Sequence, residues 1–201
     1  NAGTSSDASS CPVPGEAFLG GSVDGHADPY GAKAANQARA GKLADPSQIV
    51  QPAHGRQRIE VGDYVLANDR MAVTIEAPGP SDGYDTFGGK LIAVDGVAED
   101  GRPAGKSRFV ETLLAMSIET IGAKSVVVMN DGADGKAAVV RATGPLTPIP
   151  FLDGALAALF PRRYALEAAF DYVLEPGSDK LLIRFGVVNP GEEAVQFAIG
   201  T

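Results

Sequence analysis

The stretch DYVLANDRMAVTIE, residues 63–76, decides the fold. Met71, Val73 and Ile75 alternate with Arg70, Ala72, Thr74 and Glu76. That period of two suits a strand with one buried face. Asn68-Asp69 lies between this run and the apolar run before it. Both residue types tolerate positive φ, so the stretch predicts a β-hairpin turning at Asn-Asp. Ala77-Pro78-Gly79-Pro80 ends the second strand, because proline has no N–H to give to a ladder.

Downstream the same grammar repeats. The loop SDGYDTFGG (81–89) leads into a strand over 90–95, and a second loop covers 96–106. Residues 109–121 fit two periods. Phe109, Leu113 and Met116 have helical spacing, while Leu114, Met116 and Ile118 have strand spacing. The β-branched run 125–129 (SVVVM) predicts a buried strand. The turn Asn130-Asp131-Gly132-Ala133-Asp134-Gly135 then leads back into a strand over 137–142, a second hairpin. Proline punctuates 144–162, with one or two helical turns expected over 153–160. Strands over 164–174 and 180–188 flank the turn Glu175-Pro176-Gly177-Ser178. After Asn189-Pro190-Gly191-Glu192, a last strand over 194–199 completes an antiparallel meander. Gly200-Thr201 follow it directly, so the sheet is expected to continue beyond them.

Upstream of residue 57 the pattern fades. Residues 1–20 are small, polar and Pro-punctuated, and read as a flexible Ser/Thr/Pro linker. Residues 21–56 read as an irregular or weakly helical lead-in. Within it, 32–44 (AKAANQARAGKLA) is rich in helix formers, interrupted by Gly41. The expectation is a mainly β chain: an antiparallel β-sandwich or supersandwich of hairpins over 57–201, with one or two short helices.

Composition agrees. The 25 glycines and 14 prolines in 201 residues suit short strands joined by turns. A hydrophobic fraction of 44% supports a core and excludes global disorder. The net charge is -8, and the densest basic spot is Arg162-Arg163. Such a surface repels phosphate backbones and anionic lipid heads, so no nucleic-acid partner is expected. No stretch approaches 18 consecutive apolar residues, so no membrane span is expected. Few lysines, a Ser/Thr-rich head and an acidic, Gly-rich body lean towards export. A secreted, periplasmic or cell-surface location is therefore expected.

Chemistry-bearing patterns are sparse. Cys11 is the one cysteine; it cannot pair within the chain and is the candidate intermolecular link. The polar residues before it differ from the apolar run that precedes a lipid-anchored cysteine. His26 and His54 are the only histidines, and both lie outside the predicted sheets. They read as surface or packing residues, and a three-histidine zinc site is excluded. No G-x-S-x-G elbow is present, and the glycines of 130–135 precede a strand rather than a phosphate-binding helix. Asn130, Asp131 and Asp134 bring hard oxygens together as Ca²⁺ prefers. Arg141 stands where an EF-hand loop carries glutamate, so any calcium site there is of another type. Asp82, Asp85 and Asp95 form a second acidic group. Tyr84 and Phe87 are the candidate ligand contacts, with Phe151 and Phe160 near further loops, as aromatic platforms for a glycan. Tryptophan, the commonest such platform, is absent.

The order GDYVLANDRMAVTIEAPGP, FGGKLIAVD, VVVMNDGADGKAAVVRATG and YVLEPGSDKLLIRFGVVNPGEEAVQFAIG, over about residues 58–200, resembles a β-sandwich domain of large exported bacterial proteins. In many of those, PHP-type metallohydrolase or carboxypeptidase-regulatory-like domains follow. The sandwich is similar to the supersandwich of mutarotase-like and carbohydrate-active proteins. The resemblance implies that metal-binding histidines belong to a downstream domain. The mutarotase-type catalytic His and Glu have no matching positions here, and fold analogy carries no activity.

The resulting expectation leans away from catalysis: a module of a secreted or surface multidomain protein, for domain support, protein interaction or glycan recognition. Its partner would be another domain or chain that continues the sheet. The alternatives are a fragment of a hydrolase whose active site lies outside this chain, and a structural subunit of an extracellular assembly that uses 194–199 as an edge.

Overall fold

The structure, a computed structural model, describes residues 18–196. It is mainly β, with two antiparallel sheets packed face to face. The first sheet runs β1 (Ala38–Lys42), β2 (Tyr64–Asn68), β3 (Met71–Ile75), β4 (Leu91–Gly96) in that order. The second contains β5 (Glu119–Ile121), β6 (Ser125–Asn130), β7 (Ala138–Pro148), β8 (Glu167–Leu174) and β9 (Leu181–Val188). The one α-helix among the described residues, α1 (Pro150–Leu156), joins β7 to β8.

β7 organises the second sheet. One edge pairs with β8, and β8 with β9. The other edge takes β6 against Val139–Thr143 and β5 against Leu146–Pro148, end to end. Pro145 faces the break between them, where its carbonyl accepts from the Gly122 N–H at 2.9 Å. Its missing N–H therefore costs no ladder bond. The strand was expected to end at 142; it runs on to Pro148 because the proline falls where pairing is already interrupted.

The sheets meet through β1 and β2 against β6, β7 and β8. Ala38, Ala40, Leu66 and Val73 from one side and Val140, Tyr172 and Leu174 from the other are at most 2% exposed. Each buried Val or Leu side chain contributes about 1.5–3 kcal/mol. Across this core the Tyr172 hydroxyl donates to the Gly89 carbonyl at 2.9 Å.

The first sheet is covered on its outer face as well. Val65, Ala67, Ala72 and Ile92 pack there with Tyr30, Leu43 and Ile59. Much of the stretch expected as a lead-in thus forms a third layer. The expected helix over 32–44 is replaced by β1. Ala38 and Ala40 are fully buried, and a Cβ on Gly41 would fall on the His26 carbonyl. Close approach of backbones, not helix propensity, sets the residue choice, and tertiary packing overrides the local preference.

The hairpins at 68–71, 130–138 and 174–181 form as expected. Gly132 (φ 76°) and Gly177 (φ 67°) supply the left-handed positions of the last two. Asn68-Asp69 does not use positive φ: Ser117 and Ala165 are the non-glycine residues that do so among those described. Asn68 works through its side chain instead, accepting from the N–H groups of Arg70 and Met71, each at 2.9 Å.

Residues 109–115 are neither helix nor strand; a tight turn at Met116–Glu119 leads into β5. The helix begins at Pro150 rather than 153, since proline suits a first turn. Of the last predicted strand, 194–196 are irregular and the rest lies outside the described residues.

Candidate functional site

The outer edges of β1, β4 and β6 are covered by the chain itself. Along β1, Lys42 N–H reaches the Asp24 carbonyl and His26 N–H the Ala40 carbonyl, each at 2.8 Å. Along β4, Thr112 N–H reaches Leu91 and Ala104 N–H reaches Gly96, each at 2.9 Å. Along β6, Ser22 and Val128 exchange both main-chain bonds at 2.8 Å. β9 differs: among the described residues its backbone bonds go to β8 alone.

β9 also presents apolar side chains on both faces. Leu182, 51% exposed, lies on the outer face opposite Val173. Phe185, 47% exposed, lies on the inner face with its ring 5.2 Å from that of Phe170. The inner-face neighbours Leu181, Ile183 and Val187 are only partly buried. Here the sandwich flares, because β3 and β4 make no contact with β9 like that of β1 and β2 with β6 to β8.

At the Asp179 end of β9 the flare leaves an open groove of about 530 Å³. Its floor is Met71 and Val94, and its rim carries Arg70, Lys106, Arg108 and Asp179. The Asp95 carboxylate is turned back to accept from the Lys106 N–H at 2.8 Å. Among the described residues no carboxylate pairs with the three rim cations. Lys90, Lys136, Arg141 and Arg163 by contrast each hold one.

The aromatic candidates separate. Tyr84 and Phe151, both about half exposed, stand 6.0 Å apart at 58°. The Arg56 guanidinium lies 4.2 Å over the Tyr84 ring. Phe87 is half-buried and forms no ring pair with them among the described residues.

Beneath Tyr84 lies a buried ionic cluster with no sequence motif. The Lys90 ammonium is 2.8 Å from Glu111 and 4.0 Å from Glu76, and donates to the Asp85 carbonyl. Glu111 accepts from the Tyr84 N–H at 2.7 Å and the Asp85 N–H at 3.4 Å. Desolvation works to raise the Glu111 pKa, but Lys90 and these N–H groups outweigh it and hold it below the usual value. Burial pushes Glu76 up to about 7, against the opposing pull of Ser81 and Lys90. Burial likewise raises Asp85. Gly83 packs so closely on Glu111, Gln57 and Lys90 that a Cβ would collide with all three. This cluster clamps the 81–89 loop to the segment beside β4.

The calcium candidates are brought together but engaged. Asn130 Nδ2 is 3.3 Å from both Asp134 oxygens. Asn130, Asp131 and Asp134 each accept a turn N–H, from Gly132, Ala133 and Lys136. Those hydrogen bonds hold the Asp134 pKa below its ordinary value, the Lys136 N–H foremost. No group of three or more His, Cys, Asp or Glu residues is arranged around a metal-sized space among the described residues. Asp82, Asp85 and Asp95 divide: Asp85 is buried, Asp82 is exposed, and Asp95 faces the groove. His26 holds a local turn, its Nδ1 contacting the Asp28 carbonyl at 2.7 Å. Cys11 lies outside the described residues.

Sequence reasoning did not single out the β9 edge; the edge it expected, 194–199, lies largely outside the described residues. Part of the signal was present in LLIRFGVV, where Leu181, Ile183, Phe185 and Val187 fill one face and Leu182 and Val188 flank Arg184 and Gly186 on the other. Comparison with protein-family models, curated proteins and solved structures finds no match.

Proposed function

We propose that this chain is a non-catalytic interaction module of a secreted or surface multidomain protein, as its resemblance to sandwich domains of exported bacterial proteins suggests. It acts by adding an extended strand, from a neighbouring domain or a partner chain, to β9. The observation that carries this reading is the contrast between edges: β1, β4 and β6 are capped by the chain, and among the described residues β9 has no backbone partner beyond β8, with Leu182 and Phe185 exposed. Proteins blunt exposed edges with charge, proline, bulges or cover; in β9 the only charge is Arg184. Main-chain groups then supply affinity, and alternate side chains supply specificity.

Hydrogen exchange tests it. The amides on the outer edge of β9 should exchange freely in the isolated 201-residue chain and become protected in the protein purified from its source. Equal exchange in both would remove the reading.

A second reading, glycan recognition, rests on the exposed Tyr84–Phe151 pair beneath Arg56. Binding on a glycan array that Tyr84→Ala abolishes would support it, and a blank array would dismiss it.

A further inference from the structure

From the groove beside Asp179, we infer that the strand received at β9 is acidic: it places a carboxylate among Arg70, Lys106 and Arg108. This rests on the strand-addition reading and adds the chemistry of the partner.

Three observations converge. First, geometry: the groove lies on the flared side, where Met71 and Val94 continue the inner face that Ile183 and Phe185 begin. A strand laid along β9 covers this inner face with every second side chain and brings one end beside Asp179. Second, charge: the chain carries 25 acidic and 17 basic residues. Its own carboxylates pair with Lys90, Lys136, Arg141 and Arg163. In that acidic setting Arg70, Lys106 and Arg108 have no carboxylate within ion-pair distance among the described residues, and Asp95 and Asp179 in the same lining leave the groove one positive charge in excess. Third, the floor is apolar, so a carboxylate in the groove meets two guanidinium groups and an ammonium, and a strand laid over Met71 and Val94 would shield them from water. There charge-assisted hydrogen bonds are stronger than in open water. The occupant is thus an extended polypeptide whose inward side chains are apolar beside Ile183 and Phe185 and acidic at the end that reaches Asp179.

The probes are three valine-rich synthetic peptides of the length of β9 that carry two glutamates, two serines or two lysines at each end, so that one of them faces inward beside Asp179. Binding to the 201-residue chain is read by titration calorimetry and by exchange of the β9 amides. The glutamate peptide should bind about ten-fold or more tightly than the lysine peptide, with the gap closing as salt screens it. The triple variant Arg70→Glu, Lys106→Glu, Arg108→Glu alters only exposed positions, so its fold is retained, and it should reverse the order. Phe185→Lys, which points a charge inward from the edge, should abolish binding of all three.

If all three peptides bind alike and protect β9, strand addition stands and the acidic preference falls. If the triple variant keeps the preference for glutamate, the groove is not its origin and the inference is overturned. If no peptide binds, the inference falls too, and the exchange comparison with source protein then decides the underlying reading separately.

Discussion

The Asn68 carboxamide, at the end of β2, donates to the main-chain carbonyl of Ser178, 2.8 Å away and 110 residues along the chain. It donates also to the Glu175 carbonyl at 2.9 Å, and its oxygen caps Arg70 and Met71. One fully buried side chain thus ties a hairpin of the first sheet to the β8–β9 turn of the second. Asn68→Ala leaves buried carbonyls and N–H groups unpaired and should cost about 2–4 kcal/mol, read from the urea midpoint. Asn68→Asp keeps the acceptor but aims a carboxylate at two carbonyl oxygens. It should be at least as damaging near neutral pH, with partial recovery on acidification.

Glu76 makes stability depend on pH. Burial raises its folded value to about 7, above the 4.5 of the free group. The folded protein therefore holds a proton that the unfolded chain releases between those values. This contribution is full below pH 4.5 and is lost as pH rises through 7. Asp63 and Asp85 shift in the same direction, chiefly through burial, while Glu111 opposes. Stability should fall by roughly 1–3 kcal/mol from about pH 5 to about pH 8. Glu76→Gln should remove most of that slope, measured by denaturation across the range.

Two glycines should respond in opposite directions. Gly41→Ala drives a methyl into the His26 backbone carbonyl and should cost about 1–3 kcal/mol. Gly154→Ala, within α1 and with open space around it, should stabilise by about 0.5–1 kcal/mol. Thermal melts of the two variants check both.

Ala165 sits at φ 51° just before β8. An L-residue there costs about 1–2 kcal/mol, which glycine avoids at the expense of about 0.5–1 kcal/mol of chain entropy. Ala165→Gly should therefore raise stability by about 0.5 kcal/mol or more, visible as a higher melting temperature.

Features written in neighbouring residues were legible in the sequence; those written across the chain were not. The period of two around Met71–Ile75 and the turns at Gly132 and Gly177 depend on a few adjacent residues, and they appeared where expected. β1 did not: alanine signals helix locally, and only the opposed sheet makes Ala38 and Ala40 core residues. The turn at Asn68 was read correctly but for the wrong cause, since its partners Glu175 and Ser178 are distant in sequence. Lys90, Glu76 and Glu111 stand on separate segments with no motif among them, so the buried cluster became visible only in the fold. Tyr84 was found and its contact with Phe151 was not, because the rings come from a loop and a helix on different sheets.

The cover over the first sheet has a consequence for how the chain is made. Arg39 donates to the Gly132 carbonyl 93 residues later, and Asn68 waits for Ser178 across 110. At about 5–20 residues per second, the second of these partners emerges roughly 5–20 s after the first. During that interval β1 to β4 can pair among themselves, but their inner face, with Leu66, Val73 and Ile75, has nothing to rest on. Contacts of such long sequence separation fold slowly, and an uncovered apolar sheet associates with its own kind. Recovery from denaturant should therefore fall with protein concentration, limited by encounters between half-built molecules rather than by the stability of the finished one.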